Sequence, residues 1–284
     1  VNDRKDLIEA RLATVESPSP QRIAARCPYF GRCGGCHYQH AGYEYQLEQK
    51  RSILSEVLKR IGRFDPPGHI GIVSAEPWGY RNRIQVHVRD GRAGFLETGS
   101  NRLCEVENCP VASPKLNEAL SALGRMARDR RFPSFVRTIE LFTNETDVQL
   151  NVLEAEANRH VARSFFDWAS EQIPGLAGSV LEYPAAGETF RVGHRSFFQV
   201  NRFLVDDLVT TALGDATGEQ AFDLYAGVGL FSLPLTKRFE RVTAVVQGKS
   251  VRAADLTEKM AFFEAYGLLA GESGVGPMDD ILNS

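Results

Sequence analysis

Four of the five cysteines fall in a pattern that can hold a metal or a cluster. Cys27, Cys33 and Cys36 lie close together, with Gly34 and Gly35 between the last two, and Cys109 stands before Pro110 after 72 intervening residues. Thiolates two residues apart on a glycine-rich loop converge on one centre, because glycine lets the backbone fold tightly around it. The trio needs a fourth ligand from a distance; Cys109 can supply it, and Cys104 is the spare candidate. Zinc and an iron-sulfur cluster both accept four thiolates at this spacing, so the spacing does not name the metal. Unligated thiols are the plainer alternative, and a disulfide framework does not suit a cytosolic chain of this size.

A second pattern begins at Ala221, where an apolar strand runs into a glycine turn and then into an apolar helix expected to end near Phe239. Gly227 and Gly229 allow backbone to approach a ligand, and the carboxylate of Asp223 stands at the strand end to hold polar groups. Ser232 occupies the place of a third glycine, so the dinucleotide fingerprint is not completed, which favours S-adenosylmethionine over a nicotinamide cofactor. Upstream, residues 190–201 include Phe197, Phe198, Gln199 and Asn201. By themselves they read as a buried aromatic strand, with His194 structural.

The elements that must position these groups follow from periodicity. Residues 7–15 alternate as a strand broken by Ser17, Pro18, Ser19 and Pro20. Residues 43–61 place Leu47, Ile53, Leu54, Val57, Leu58 and Ile61 at helical spacing, closed by Gly62, with Lys50, Arg51, Lys59 and Arg60 on the polar side. After a linker at 65–68, residues 80–88 and 92–96 predict a hairpin turning at Asp90 and Gly91. Residues 137–142 and 146–153 predict a strand pair, and 161–172 an amphipathic helix with Val161, Phe165, Trp168 and Ala169 on one face. In the tail, 261–269 is apolar enough for one helix, and 271–276 reads as loop.

At 284 residues, 43% hydrophobic and 24% charged, the chain has the composition of a packed enzyme-like protein of about two domains. No stretch approaches the roughly 20 apolar residues of a membrane span, and the first residues contain no apolar signal core, so a cytoplasmic location is expected; a monomer is expected as well. A first residue of Val1 suggests a trimmed fragment. The net charge of −3 hides basic segments. Residues 1–64 carry eleven Lys/Arg against seven Asp/Glu, and 121–137 carry Arg125, Arg128, Arg130, Arg131 and Arg137 against Asp129 alone. Phosphate attraction depends on such local fields, so an RNA-binding face is compatible with an acidic total.

The cysteine trio followed by Gln39 and His40 resembles the cluster motif of the 4Fe-4S uracil-C5 RNA methyltransferases. Tyr80, Arg81, Asn82 and Arg83, then Gly94 and Phe95, then Gly99 to Arg102, then Glu107 to Pro110 are similar to that family's central domain in the same order. Residues 190–201 resemble its Phe-Phe-Gln-x-Asn signature, and the likeness runs from about residue 7 to 254. It implies an α/β fold: an S-adenosylmethionine-dependent, Rossmann-like methyltransferase domain, incomplete here, after a mixed α+β central domain with an iron-sulfur loop and a remnant OB-like strand.

The implied boundaries are 1–20 for the end of an OB-like TRAM domain, 21–112 for the cluster region and start of the central domain, 113–185 for its remainder, and 186–284 for the partial methyltransferase domain. The resemblance implies Cys27, Cys33, Cys36 and Cys109 as ligands of a 4Fe-4S cluster, and Gln199, Asp223, Tyr225, Gly227 and Gly229 as contacts of S-adenosylmethionine. It implies Phe197 as a stacking partner of the target base, and RNA as substrate, ribosomal before transfer RNA.

The chain also departs from that family. Gln247 stands where a ribose-gripping Glu is expected, and no cysteine follows Cys109 to serve as the nucleophile at C6 of uracil. The sequence of Asp65, Pro66, Pro67 and Gly68 precedes the cofactor turn and lacks the Arg of the family's catalytic motif. Absent segments are therefore expected, and the alternative is a non-catalytic RNA-binding protein with an iron-sulfur or zinc centre.

Overall fold

The computed structural model describes residues 2–4, 7–9, 12–194, 196–246 and 249–252. Gln247, the helix expected at 261–269 and the loop expected at 271–276 lie outside the described residues. Two compact units divide the chain, one of residues 1–31 and 36–72, the other of residues 32–35 and 73–284.

In the first unit, β1 (Asn2–Arg4) and β2 (Leu7–Glu9) form an antiparallel hairpin. The strand expected over 7–15 is shorter than its alternation suggests. Residues 12–15 have no ladder partner, and Leu12 is 74% exposed, so nothing rewards the extended pattern there. The helix α1 (Tyr43–Arg60) has Glu44 in its first turn and Lys59 and Arg60 in its last, each complementing the helix dipole. No residue of α1 is buried, and Ile53, Leu54 and Val57 of its apolar stripe are exposed.

The second unit begins with a five-stranded antiparallel sheet. Its elements are β3 (Arg83–Arg89), β4 (Arg92–Leu96), β5 (Leu103–Glu105), α2 (Pro114–Ala127), β6 (Val136–Thr143), β7 (Val148–Ala155) and α3 (Arg163–Gln172). The strand order is β5-β4-β3-β6-β7. The hairpin turns where expected, with Asp90 at φ 50° and Gly91 at φ 71°, the paired positive angles of a tight primed turn. Alternation along β3 buries Ile84, Val86 and Val88. The helix α2 packs on that sheet and buries Leu116, Leu120, Leu123 and Met126. It escaped the periodicity reading although it carries clear start signals: the Ser113 hydroxyl accepts from Leu116 N–H at 3.3 Å, and Pro114 opens the helix.

The unit continues with a hairpin of β8 (Val180–Ala185) and β9 (Glu188–Gly193), then α4 (Val205–Leu213), β10 (Gly218–Asp223), α5 (Ser232–Thr236), β11 (Phe239–Val246) and β12 (Lys249–Arg252). β10 and β11 are parallel, as a strand-turn-helix-strand unit requires, and β12 is antiparallel to β11. The helix after the glycine turn is shorter than expected. α5 stops at Thr236, and Phe239 opens β11 opposite Gly218, so strand pairing overrides the apolar run. One buried cluster joins the three sheets of this unit, from Phe142, Tyr183 and Phe198 to Leu230, Leu235 and Val242.

Candidate functional site

The glycine turn lies where β10 ends. Gly227 has φ 54° and Gly229 φ 85°, left-handed conformations that side chains resist, so these two positions require glycine for the turn itself. Ala226 N–H donates to Val245 O at 3.1 Å and Gly229 N–H to Ala226 O at 2.7 Å, tying the turn to β11 and to itself. Asp223 is buried, and its Oδ2 accepts from the Ser232 hydroxyl at 2.6 Å. The serine in the third-glycine position thus fastens the carboxylate that ends the strand. Beside it a cleft of about 440 Å³ is lined by Ala212, Asp223, Leu224, Tyr225 and Phe231. Tyr225, one of the lining residues, is 92% exposed. Apolar walls around one carboxylate suit a flat heterocycle with a polar sugar.

The aromatic segment differs from the buried strand that its residues suggest on their own. β9 ends at Gly193, and residues 196–199 are loop. Phe198 is 1% exposed inside the aromatic cluster, whereas its neighbour Phe197 is 71% exposed. The loop makes its bonds to the start of β3: Arg83 Nη1 donates to Ser196 O, Asn82 Nδ2 to Gln199 O and Asn82 N–H to Val200 O, all at 3.0 Å. Asn82 and Arg83 appear in the sequence only as part of a motif; their use as the seat of this loop was not legible there. Gln199 is half-buried on the same loop.

The thiols differ in setting. Cys104 has no exposure, on the buried side of β5, while Cys27, Cys33, Cys36 and Cys109 are partly exposed. In the first unit the Cys27 amide donates to Gln39 Oε1 at 3.1 Å. In the second, Gly34 N–H bonds Leu96 O at 2.9 Å and Gly35 N–H reaches Cys33 Sγ at 3.4 Å. A Cβ on Gly34 would lie 3.1 Å from Leu96 O, so that position has no room to spare. Asn117 holds Cys109 at both ends, accepting from its N–H at 2.8 Å and donating to its C=O at 3.1 Å. Among the described residues no group of three or more His, Cys, Asp and Glu side chains is gathered to ligate a metal.

The arginines of 125–137 are largely engaged within the protein. Arg128 pairs with Glu105 at 2.6 Å, Arg131 with Asp129 at 2.9 Å, and Arg137 with Glu156. The hydrogen bonds from Arg131 hold the Asp129 carboxyl at about 2, well below the usual range. Among the described residues no helix is long and apolar enough to cross a membrane.

No protein-family model matches the chain. It is 33% identical over 271 aligned residues to the 23S rRNA (uracil(1939)-C(5))-methyltransferase RlmD of Alkalilimnicola ehrlichii. The chain is similar to uracil-C5 RNA methyltransferases. The alignment covers 85% of this chain and 61% of that relative. The enzyme of the same description from Pseudomonas syringae pv. tomato is 31% identical, over 86% of this chain and 59% of its own. The chain therefore spans about three-fifths of the length of these methyltransferase relatives. Among solved structures it resembles the tRNA (uracil-54, C5)-methyltransferase of Pyrococcus abyssi, crystallised with S-adenosyl-L-homocysteine, at a TM-score of 0.63 and 22% identity, covering 91% of this chain and 65% of that one. That likeness is one of fold: a mixed α/β architecture like that of a uracil-C5 methyltransferase.

Proposed function

We propose that this chain carries the RNA-binding and cofactor-binding parts of a uracil-C5 RNA methyltransferase that uses S-adenosylmethionine, with ribosomal RNA as substrate ahead of transfer RNA. The observation that carries the proposal is the glycine turn closed on a buried carboxylate in a chain one-third identical to such an enzyme. Asp223 and the turn at Gly227 and Gly229 bind the cofactor's polar groups, Tyr225 covers its base, and Gln199 orients its reacting end. Phe197, exposed on a fastened loop, stacks on the target uracil.

Equilibrium dialysis with radiolabelled S-adenosylmethionine tests the pocket. The chain should retain the label. Asp223→Ala should weaken retention about tenfold or more, the equivalent of roughly 1.5–3 kcal/mol for a lost hydrogen bond to a charged group. Tyr225→Ala should weaken it several-fold with the thermal midpoint unchanged, because that ring is 92% exposed and supports nothing in the fold. No retention by the unmodified chain would overturn this reading of the turn.

The same proposal includes a 4Fe-4S cluster on Cys27, Cys33, Cys36 and Cys109, and reads the strand within residues 1–20 as OB-like, of the TRAM type. The donor set fits: four partly exposed thiols, one already receiving a backbone N–H, are the soft ligands that such a cluster takes. Such a cluster would be held by four thiolates, three from the loop of residues 27–36 and the fourth from Cys109. In anaerobically purified protein Cys104→Ser should leave iron and sulfide unchanged, and Cys109→Ser should empty the site. The reverse result would refute the ligand set, and zinc in place of iron would refute the cluster.

A further inference from the structure

We infer that Arg83 and Glu140 form a buried positioning pair, whose task is to hold the loop bearing Phe197 and Gln199 at its presenting angle. The inference rests on the functional reading above for what the loop does, but not for what holds it.

The pair sits in a setting where charge is expensive. The side chains of Arg83 and Glu140 are 12% and 8% exposed, and Arg83 Nη1 lies 3.3 Å from Glu140 Oε1. The Arg83 guanidinium lies over the Phe142 ring, 4.2 Å from its centroid. Burial pushes the guanidinium pKa down, with Glu140 opposing. Replacing such a pair by apolar residues of similar volume is often neutral or stabilising, so stability does not explain its presence.

What the pair does is geometric. Behind Glu140, Asn151 Nδ2 donates to Glu140 Oε1 at 3.2 Å and lies 3.3 Å from Gln149 Oε1. Gln149 Nε2 in turn reaches Ser179 O at 2.8 Å and Val192 O at 3.2 Å. A continuous polar chain therefore runs from the backbone of β9, across β7 and β6, to Arg83 on β3 and out to Ser196 O at 3.0 Å. It begins at Val192 and ends at Ser196, on either side of the point where β9 gives way to the loop. Asn82 Nδ2, which also donates to the Tyr183 hydroxyl at 3.0 Å, closes the far side at Gln199 O. The carbonyls on both sides of Phe197 are thus anchored to two consecutive residues, Asn82 and Arg83, and the ring between them stays exposed because its backbone is not free to turn inward.

The test is a double apolar replacement, Arg83→Met with Glu140→Leu, in the full chain. Its thermal midpoint should equal or exceed that of the parent, while hydrogen exchange measured by mass spectrometry over residues 194–203 should accelerate about tenfold or more through local opening. Affinity for a labelled single-stranded RNA of ribosomal sequence containing one uridine should fall with it, and Asn82→Ala should reproduce both effects more weakly. Parent-like exchange in the loop of the double variant would overturn the inference, as would a lowered midpoint with the loop still protected. If exchange accelerates but neither the double variant nor Phe197→Ala alters RNA affinity, the clamp stands and the role given to Phe197 fails.

Discussion

Incubated with radiolabelled S-adenosylmethionine and unmodified ribosomal RNA, these 284 residues should put no label into uridine. Carbon 5 of uracil is a poor nucleophile until a thiolate adds at C6 and pushes electron density toward it, so the thiolate is an obligatory step rather than an accelerator. All five cysteines precede the glycine turn. Cys104 has no exposure and lies on β5, where no substrate can reach it. Cys27, Cys33, Cys36 and Cys109 are the proposed ligands of the cluster and are not available as nucleophiles while iron holds them. A relative of full length, assayed beside it on the same RNA, supplies the positive control. Label recovered in 5-methyluridine from this chain alone would mean that the chemistry has been misplaced.

Gly94→Ala should be the most damaging small substitution in the described fold. A Cβ built at Gly94 would lie 2.1 Å from Cys104 O and 2.8 Å from Glu105 Cα. Both obstacles are backbone of the neighbouring strand, in register with Gly94, and neither can rotate aside as a side chain would. Overpacking of a core costs about 1–3 kcal/mol when side chains can yield, and the upper end or more is expected here because β5 itself must move. Displacing β5 also draws Cys104 and Val106 out of the buried layer. In urea the midpoint should drop by the corresponding amount at unchanged slope. Gly124→Ala provides the contrast: nothing lies within 4 Å of a Cβ there, and the position is inside α2. It should raise stability by about 1 kcal/mol from helix propensity alone. Equal effects of the two would show that the close approach of β4 and β5 has been misjudged.

What the sequence by itself determined is what short-range chemistry encodes. The hairpin at Asp90 and Gly91 was legible because two positive φ angles in succession demand such residues, and Gly227 and Gly229 were legible for the same reason. The strand pair of β6 and β7 and the helix α3 showed in their periodicity, and the cysteine spacing could be read without any fold. Which buried groups meet was decided only by the tertiary structure. Phe197 and Phe198 are the same residue type side by side, yet one is 71% exposed and the other 1%. The difference comes from bonds to Asn82 and Arg83, 117 and 113 residues away in the chain. Cys104 is set apart from the other thiols by the layer into which β5 turns it, and Phe239 starts a strand instead of ending a helix because Gly218 is there to pair with it. Local spacing constrains φ, ψ and face. Burial and hydrogen-bond partnership depend on which distant segment arrives opposite, and no window of neighbouring residues contains that information.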